Sequence, residues 1–147
     1  MTVQNKSLKR VLAFGTFDVL HKGHKDFLTQ ARQYGDLLFV VIARDRTVKI
    51  HKKVKLHHNE NYRLKSVVES GIADFVLLGN KKRKMDVIRR VKPDIICLGY
   101  DQKHFIFELE QYIDRKNLKI LVKRLNSHKP HIYKSTIIRK KLNESDE

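Results

Sequence analysis

Five apolar runs of strand length, separated by segments of helix length, constrain this chain more than any other feature of it. They are Arg10–Phe14, Leu37–Ala43, Phe75–Leu78, Asp94–Leu98 and Lys119–Val122. Each is largely continuous in Val, Ile, Leu and Phe rather than alternating, the pattern of a strand covered on both faces. Between them, Lys25–Tyr34 carries Phe27, Leu28 and Ala31 at helical spacing and stops before Gly35. Glu60–Gly71 repeats the pattern through Leu64, Val67 and Val68, and Asp86–Val91 is halted by Lys92-Pro93. Phe105–Arg115 and Ser135–Leu142 complete the expected helices. Strands alternating with helices build a parallel sheet through right-handed crossovers. The expectation is an α/β, doubly wound, Rossmann-like single domain with a five-stranded parallel sheet over residues 1–147, and tails at about 1–8 and 143–147. Ligands in such sheets bind outside the carboxyl ends of the strands, at the switch in strand order. The segments just after the first, second and fourth strands are therefore where a site is expected.

Charge narrows the partners. The formal net charge of +16 suits nucleic acid, an anionic membrane surface or a small polyanion such as a nucleoside triphosphate. No run approaches the roughly 18 apolar residues of a membrane span, and no membrane partner is expected. The single cysteine, Cys97, lies in a strand and is read as core packing; with no internal disulfide available, a cytoplasmic setting is expected.

The first strand runs into Gly15-Thr16-Phe17-Asp18, and His21-Lys22-Gly23-His24 opens the helix that follows. Glycine at a strand end lets a bulky group approach the backbone closely. A helix N-terminus offers unpaired N–H groups and positive potential, a ready place for phosphate. Two histidines three apart can aim both imidazoles at that point and stabilise charge developing on a phosphate. His57-His58 could join them only by folding in from elsewhere, and no resident metal is expected.

Gly15 to His24 resembles the Gly-Thr-Phe-Asp-x-x-His-x-Gly-His signature of the cytidylyltransferase-like nucleotidyltransferases, a group that includes glycerol-3-phosphate cytidylyltransferases and archaeal FAD synthases. The resemblance extends over most of the chain. It implies that His21 and His24 stabilise the transition-state phosphate and that Gly15, Thr16, Phe17, Asp18 and Gly23 form the nucleotide site. A lysine of the basic loop expected after the second strand, Lys49 or Lys53, would contact the phosphates. Glu60-Asn61-Tyr62-Arg63 is similar to the family's Glu-x-x-Arg segment, which would aim Arg63 into the site. Gly99 and Asp101 would line it after the fourth strand, Asp101 also being able to cap the next helix. Ser135 and Thr136 are similar to the family's C-terminal Ser-Thr motif, which holds the triphosphate. The family's preceding Arg-Thr-Glu-Gly is here Lys129-Pro130-His131-Ile132, so the arginine that contacts nucleotide has no clear counterpart.

The chemistry implied is in-line transfer of a nucleoside monophosphate from CTP or ATP to a phosphorylated small molecule, with pyrophosphate leaving and Mg²⁺ carried in on the triphosphate. The preferred reading is a glycerol-3-phosphate cytidylyltransferase-like enzyme. FMN adenylyl transfer is the alternative: Ala43 to Lys49 and Lys92 to Gln102 look nearer the archaeal FAD synthases. Against it stand the absence of C-terminal cysteines and of any apolar slot that the sequence reveals. A third reading, a basic nucleic-acid-binding protein without catalysis, leans on Lys81-Lys82-Arg83-Lys84 and Arg139-Lys140-Lys141, which no interleaved aromatic signature accompanies. Family habit adds a homodimer.

Overall fold

The computed structural model describes residues 7–52, 55–99, 102–103 and 105–126. In chain order the elements are β1 (Arg10–Gly15), α1 (Lys22–Arg32), β2 (Leu37–Ile42), α2 (Asp45–Lys52), α3 (Glu60–Ser70), β3 (Phe75–Leu78), α4 (Asp86–Val91), β4 (Ile95–Leu98), α5 (Ile106–Arg115) and β5 (Leu121–Arg124). All neighbouring strands pair in parallel, in the order β3-β2-β1-β4-β5. Chain progression therefore reverses between β1 and β4, which creates a crevice at their carboxyl ends.

Successive side chains of one strand point to opposite faces, so the three central strands feed two cores. Val11 and Ala13 of β1, Leu38, Val40 and Ile42 of β2, and Ile95 and Cys97 of β4 pack on one face with Leu28 and Ala31 of α1 and Val67 of α3. Leu12, Val41, Ile96 and Leu98 pack on the other with Val87, Ile88 and Val91 of α4 and Leu109 of α5. Fully buried side chains such as Leu12, Leu28 and Leu38 each contribute roughly 2 kcal/mol relative to exposure. Burial of Cys97 pushes its thiol up to about 11, in keeping with a packing role.

Three expectations need correction. Residues 45–52, read as a basic loop, form the helix α2. Among its described side chains only Val48 is buried, so little apolar packing anchors it; Val48 N donates to Arg44 O (3.0 Å), and charged contacts to α3 hold it. Helix α1 starts at Lys22 rather than Lys25 because His21 caps it. Strand β5 lies two residues further on than expected. Asn117 takes a left-handed conformation (φ 50°) at the end of α5, and the chain comes alongside β4 only where Leu121 N donates to Asp94 O. The expected helix Ser135–Leu142 lies outside the described residues.

Candidate active site

The histidine pair is built by the helix it opens. His21 is the N-cap of α1, with extended backbone, and its Nδ1 accepts from Gly23 N at 3.0 Å. Three residues on, His24 Nδ1 accepts from His21 N at 3.4 Å. Each imidazole thus does the work that Ser and Glu do in an ordinary capping box. Both rings lie stacked, with centroids 3.8 Å apart. An Nδ1 that accepts a hydrogen bond carries no proton, so the neutral rings hold theirs on Nε2. Burial lowers the pKa of His21 to about 4, which keeps it neutral at ordinary pH. Two N–H donors above a helix N-terminus make a phosphate-binding arrangement.

The loop ahead of the histidines is locked from below. Phe17 sits in a left-handed conformation (φ 52°) and is buried, its ring edge-on to His24 with centroids 5.2 Å apart. A Cβ on Gly15 would come within 2.4 Å of the Phe17 ring. The bulky group that requires glycine there is the protein's own phenylalanine. Asp18, 3% exposed, turns inward: its carboxylate accepts from His57 N and His58 N at 3.0 Å each. It fixes the approach to α3 by satisfying backbone donors that burial would otherwise strand.

Arg63 is neither a surface arginine nor one aimed into open space. It is fully buried, and donates to Thr16 O (2.9 Å), His58 O (3.1 Å) and Asp45 Oδ1 (2.7 Å). One guanidinium joins the β1 loop, the start of α2 and the start of α3. Beside it Arg44 donates to Glu60 Oε2 (2.7 Å) and to Gly79 O (2.6 Å). The Asp45 N–H, and then the Arg44 guanidinium, hold the Glu60 carboxyl below the usual range. After β4, Gly99 N donates to Gln102 Oε1 (2.9 Å), and Gln102 Nε2 donates to Phe14 O (3.0 Å) across to β1. Arg124 donates to Gly99 O and to Gln102 O. Helix α5 has Phe105 at its N-cap, without a side-chain cap hydrogen bond.

These contacts shape a half-open slot of about 120 Å³ at the carboxyl ends of β1, β2 and β3. Its walls include Phe14, Val41, Ala43, Val48, Met85 and Phe105, with Gly15, Thr16, Arg44 and Gln102 also lining it. Phe14 and Phe105 meet edge to face, centroids 5.0 Å apart. The slot shares Arg44 and Asn80 with a more open groove walled by Lys81, Lys82, Arg83 and Asp86. An apolar cavity that opens onto cations suits a flat apolar body carrying an anionic tail.

The structure thus brings Gly15, Thr16, Phe17, Asp18, His21, Gly23, His24, Arg63 and Gly99 to one edge of the sheet, with Asp18 and Arg63 engaged in holding it together. Lys49 stands exposed on α2 and lines neither cavity. Lys53, Asp101, Ser135 and Thr136 lie outside the described residues. The sequence reading missed the slot and the roles of Arg44 and Gln102 in its walls. It connected Lys81 to Lys84 only with the third, nucleic-acid reading, although this run directly follows β3 and so had to emerge at the carboxyl edge. Among the described residues no three His, Cys, Asp or Glu side chains gather as a resident metal ion would need. None of the described helices is long and apolar enough to cross a membrane.

A switch-point crevice, a helix N-terminus bearing paired histidines and a cationic rim define a nucleotidyltransferase. The chain belongs to the cytidylyltransferase-like family, whose model matches residues 12–141. An FAD synthase of Methanosarcina acetivorans is 48% identical over 118 residues, covering 80% of this chain and 77% of its own. One of Thermoplasma volcanium is 38% identical over 135 residues, covering 92% and 94%. Among solved structures, a lipopolysaccharide core biosynthesis protein of Thermoplasma volcanium superposes with a TM-score of 0.77 at 37% identity, covering 83% of this chain and 99% of that one. Pantothenate synthetase of Thermus thermophilus, 10% identical, shares the fold with a TM-score of 0.56 over 92% of this chain and 64% of its own.

Proposed function

We propose that the chain is an FMN adenylyltransferase. The observation that carries this reading is the apolar slot opening onto a cationic groove, which offers an isoalloxazine ring apolar cover and its phosphate a positive rim. The FAD synthase relatives support it. The preferred sequence reading, glycerol-3-phosphate as acceptor, gives way, because a small polar alcohol phosphate would leave Phe14, Val41, Val48 and Phe105 uncovered. The objection that the sequence reveals no apolar slot falls with the slot itself, whose walls come from five separate stretches of chain.

In this reading ATP lies across the N-terminus of α1. A phosphate oxygen of FMN attacks the α-phosphorus in line, the bond from that phosphorus to the bridging oxygen breaks, and pyrophosphate leaves. His21 and His24 donate from Nε2 to the α-phosphate as charge builds on it. Lys49 or Lys53 and Ser135-Thr136 steady the remaining phosphates, and Mg²⁺ arrives on the triphosphate, bound mainly by its oxygens and water. No protein nucleophile is required, so positioning and charge stabilisation supply the rate.

The test is pyrophosphate release with Mg²⁺ and either ATP or CTP, each against FMN, glycerol-3-phosphate and choline phosphate. ATP with FMN is expected to give release and an FAD product, and His24→Ala to lower kcat at least about a hundredfold. Release only with CTP and an alcohol phosphate overturns the acceptor reading while leaving the enzyme class standing.

A further inference from the structure

We propose that Arg44 selects a phosphorylated acceptor over its unphosphorylated counterpart, an inference that rests on the acceptor reading above. Arg44 and Asn80 line both cavities, and Arg44 is the charged member of the pair. Any ligand with its apolar body in the slot and its anionic tail in the groove must pass this side chain.

Arg44 is also held from two sides, and Lys84, half-buried, lines the slot with it. Its Nε is fixed on Gly79 O at the end of β3, and its Nη1 on Glu60 at the start of α3. Two anchors from different elements set the plane of the guanidinium, and the side chain retains 23% exposure. Among the described residues Nη2 donates to none, which leaves N–H groups of a rigid fork for an incoming oxyanion. A donor whose rotamer is already fixed loses little entropy on binding and matches the geometry of phosphate oxygens. Lys81, Lys82 and Arg83, by contrast, are exposed and line only the groove. Exposed flexible cations attract an anion without fixing its position, and salt screens them. The two sets divide the labour: the run after β3 draws the phosphate in, and Arg44 holds it at the neck of the slot that Gly15 and Thr16 also line.

The consequence is a preference for FMN over riboflavin that resides largely in one residue. Quenching of flavin fluorescence reads the affinity for each without nucleotide, so binding is measured apart from turnover. The intact protein is expected to bind FMN at least about tenfold more tightly than riboflavin, the scale of charge-assisted hydrogen bonds. Arg44→Gln should bring the two within about threefold, chiefly by weakening FMN while riboflavin still binds, which a merely unfolded variant would not do. Arg44→Lys, which keeps the charge but not the fork, should recover only part of the preference. If Arg44→Gln loses riboflavin as well, Arg44→Lys decides: a preference equal to the intact protein's overturns the proposal. So does an undiminished preference in Arg44→Gln. Equal binding of both flavins by the intact protein sinks the role of Arg44 and spares the acceptor reading; binding of neither sinks both.

Discussion

At the scale of single residues, the site depends on which ring nitrogen of His21 carries its proton. Its Nδ1 accepts from Gly23 N, so protonating that nitrogen breaks a helix cap as well as placing charge in a partly desolvated ring. With the folded pKa lowered from 6.5 to about 4, the unfolded chain takes up a proton in that window that the folded chain refuses. The group therefore subtracts nothing above pH 6.5, weakens the fold progressively as pH falls, and reaches its full effect below about 4. His21→Asn keeps a capping oxygen without a titrating ring. Its urea midpoint should fall less between pH 7 and pH 5 than that of the intact protein, although activity is lost; parallel curves would show that His21 titrates normally. The histidines were legible in the sequence because the strand end, the glycines and the helix start lie within ten residues of one another; that the two rings cap the helix was not. The partners of Asp18, 39 and 40 residues on, and the Thr16 and Asp45 partners of Arg63, 47 and 18 residues back, were not, because at such separations only the fold decides who meets whom.

At the scale of elements, α2 shows where pattern reading stops. Strands β1, β2 and β4 could be read because burial on both faces leaves an unbroken apolar run, and α1 and α3 because each presents several apolar residues to one core; β3 and β5 lie at the sheet edges without a fully buried residue, and β5 was placed two residues early. Among the described side chains of α2 only Val48 is buried, and with Val48 and Ile50 as its apolar residues the segment reads as a charge run rather than as a core-facing helix. Charge takes over from apolar packing as its attachment: Asp45 N donates to Glu60 Oε1 (3.0 Å), and Arg63 Nη2 to Asp45 Oδ1 (2.7 Å). Removing one partner of a buried pair is worse than removing both, because it leaves a charge uncompensated. Arg63 is fully buried while the Asp45 side chain is 35% exposed, so the two single variants should differ. Arg63→Met is expected to destabilise by about 3 kcal/mol and Asp45→Asn by about 1–2 kcal/mol. The double variant should fall short of the sum by about 1–2 kcal/mol in urea titrations. Strict additivity would mean that α2 is attached by something other than this pair.

At the scale of the whole molecule, the question is what a surplus of 16 positive charges accomplishes. It is not distributed to favour folding, since like charges on a compact chain repel. Nor does the sheet edge resemble a nucleic-acid surface: Lys81, Lys82 and Arg83 wall a groove that continues into an apolar slot, where a polynucleotide backbone has no use for the apolar part. Both substrates of the proposed reaction are anions, and a concave cationic mouth focuses the field on them as they approach. Two opposite responses to salt follow. Screening relaxes the self-repulsion, so the melting temperature should rise between 50 and 500 mM NaCl, conditions that shorten the Debye length from roughly 14 to 4 Å. The same screening removes the steering, so kcat/KM for both substrates should fall several-fold over that range. The fall should lie almost wholly in KM, because the groups that act on the bound phosphates are held at contact distance and screened little. Steady-state kinetics alongside melting curves separate the two effects. A fall in kcat of the same size would mean that the surface charge acts in the bound complex, and a flat kcat/KM would leave the surplus without a part in catalysis.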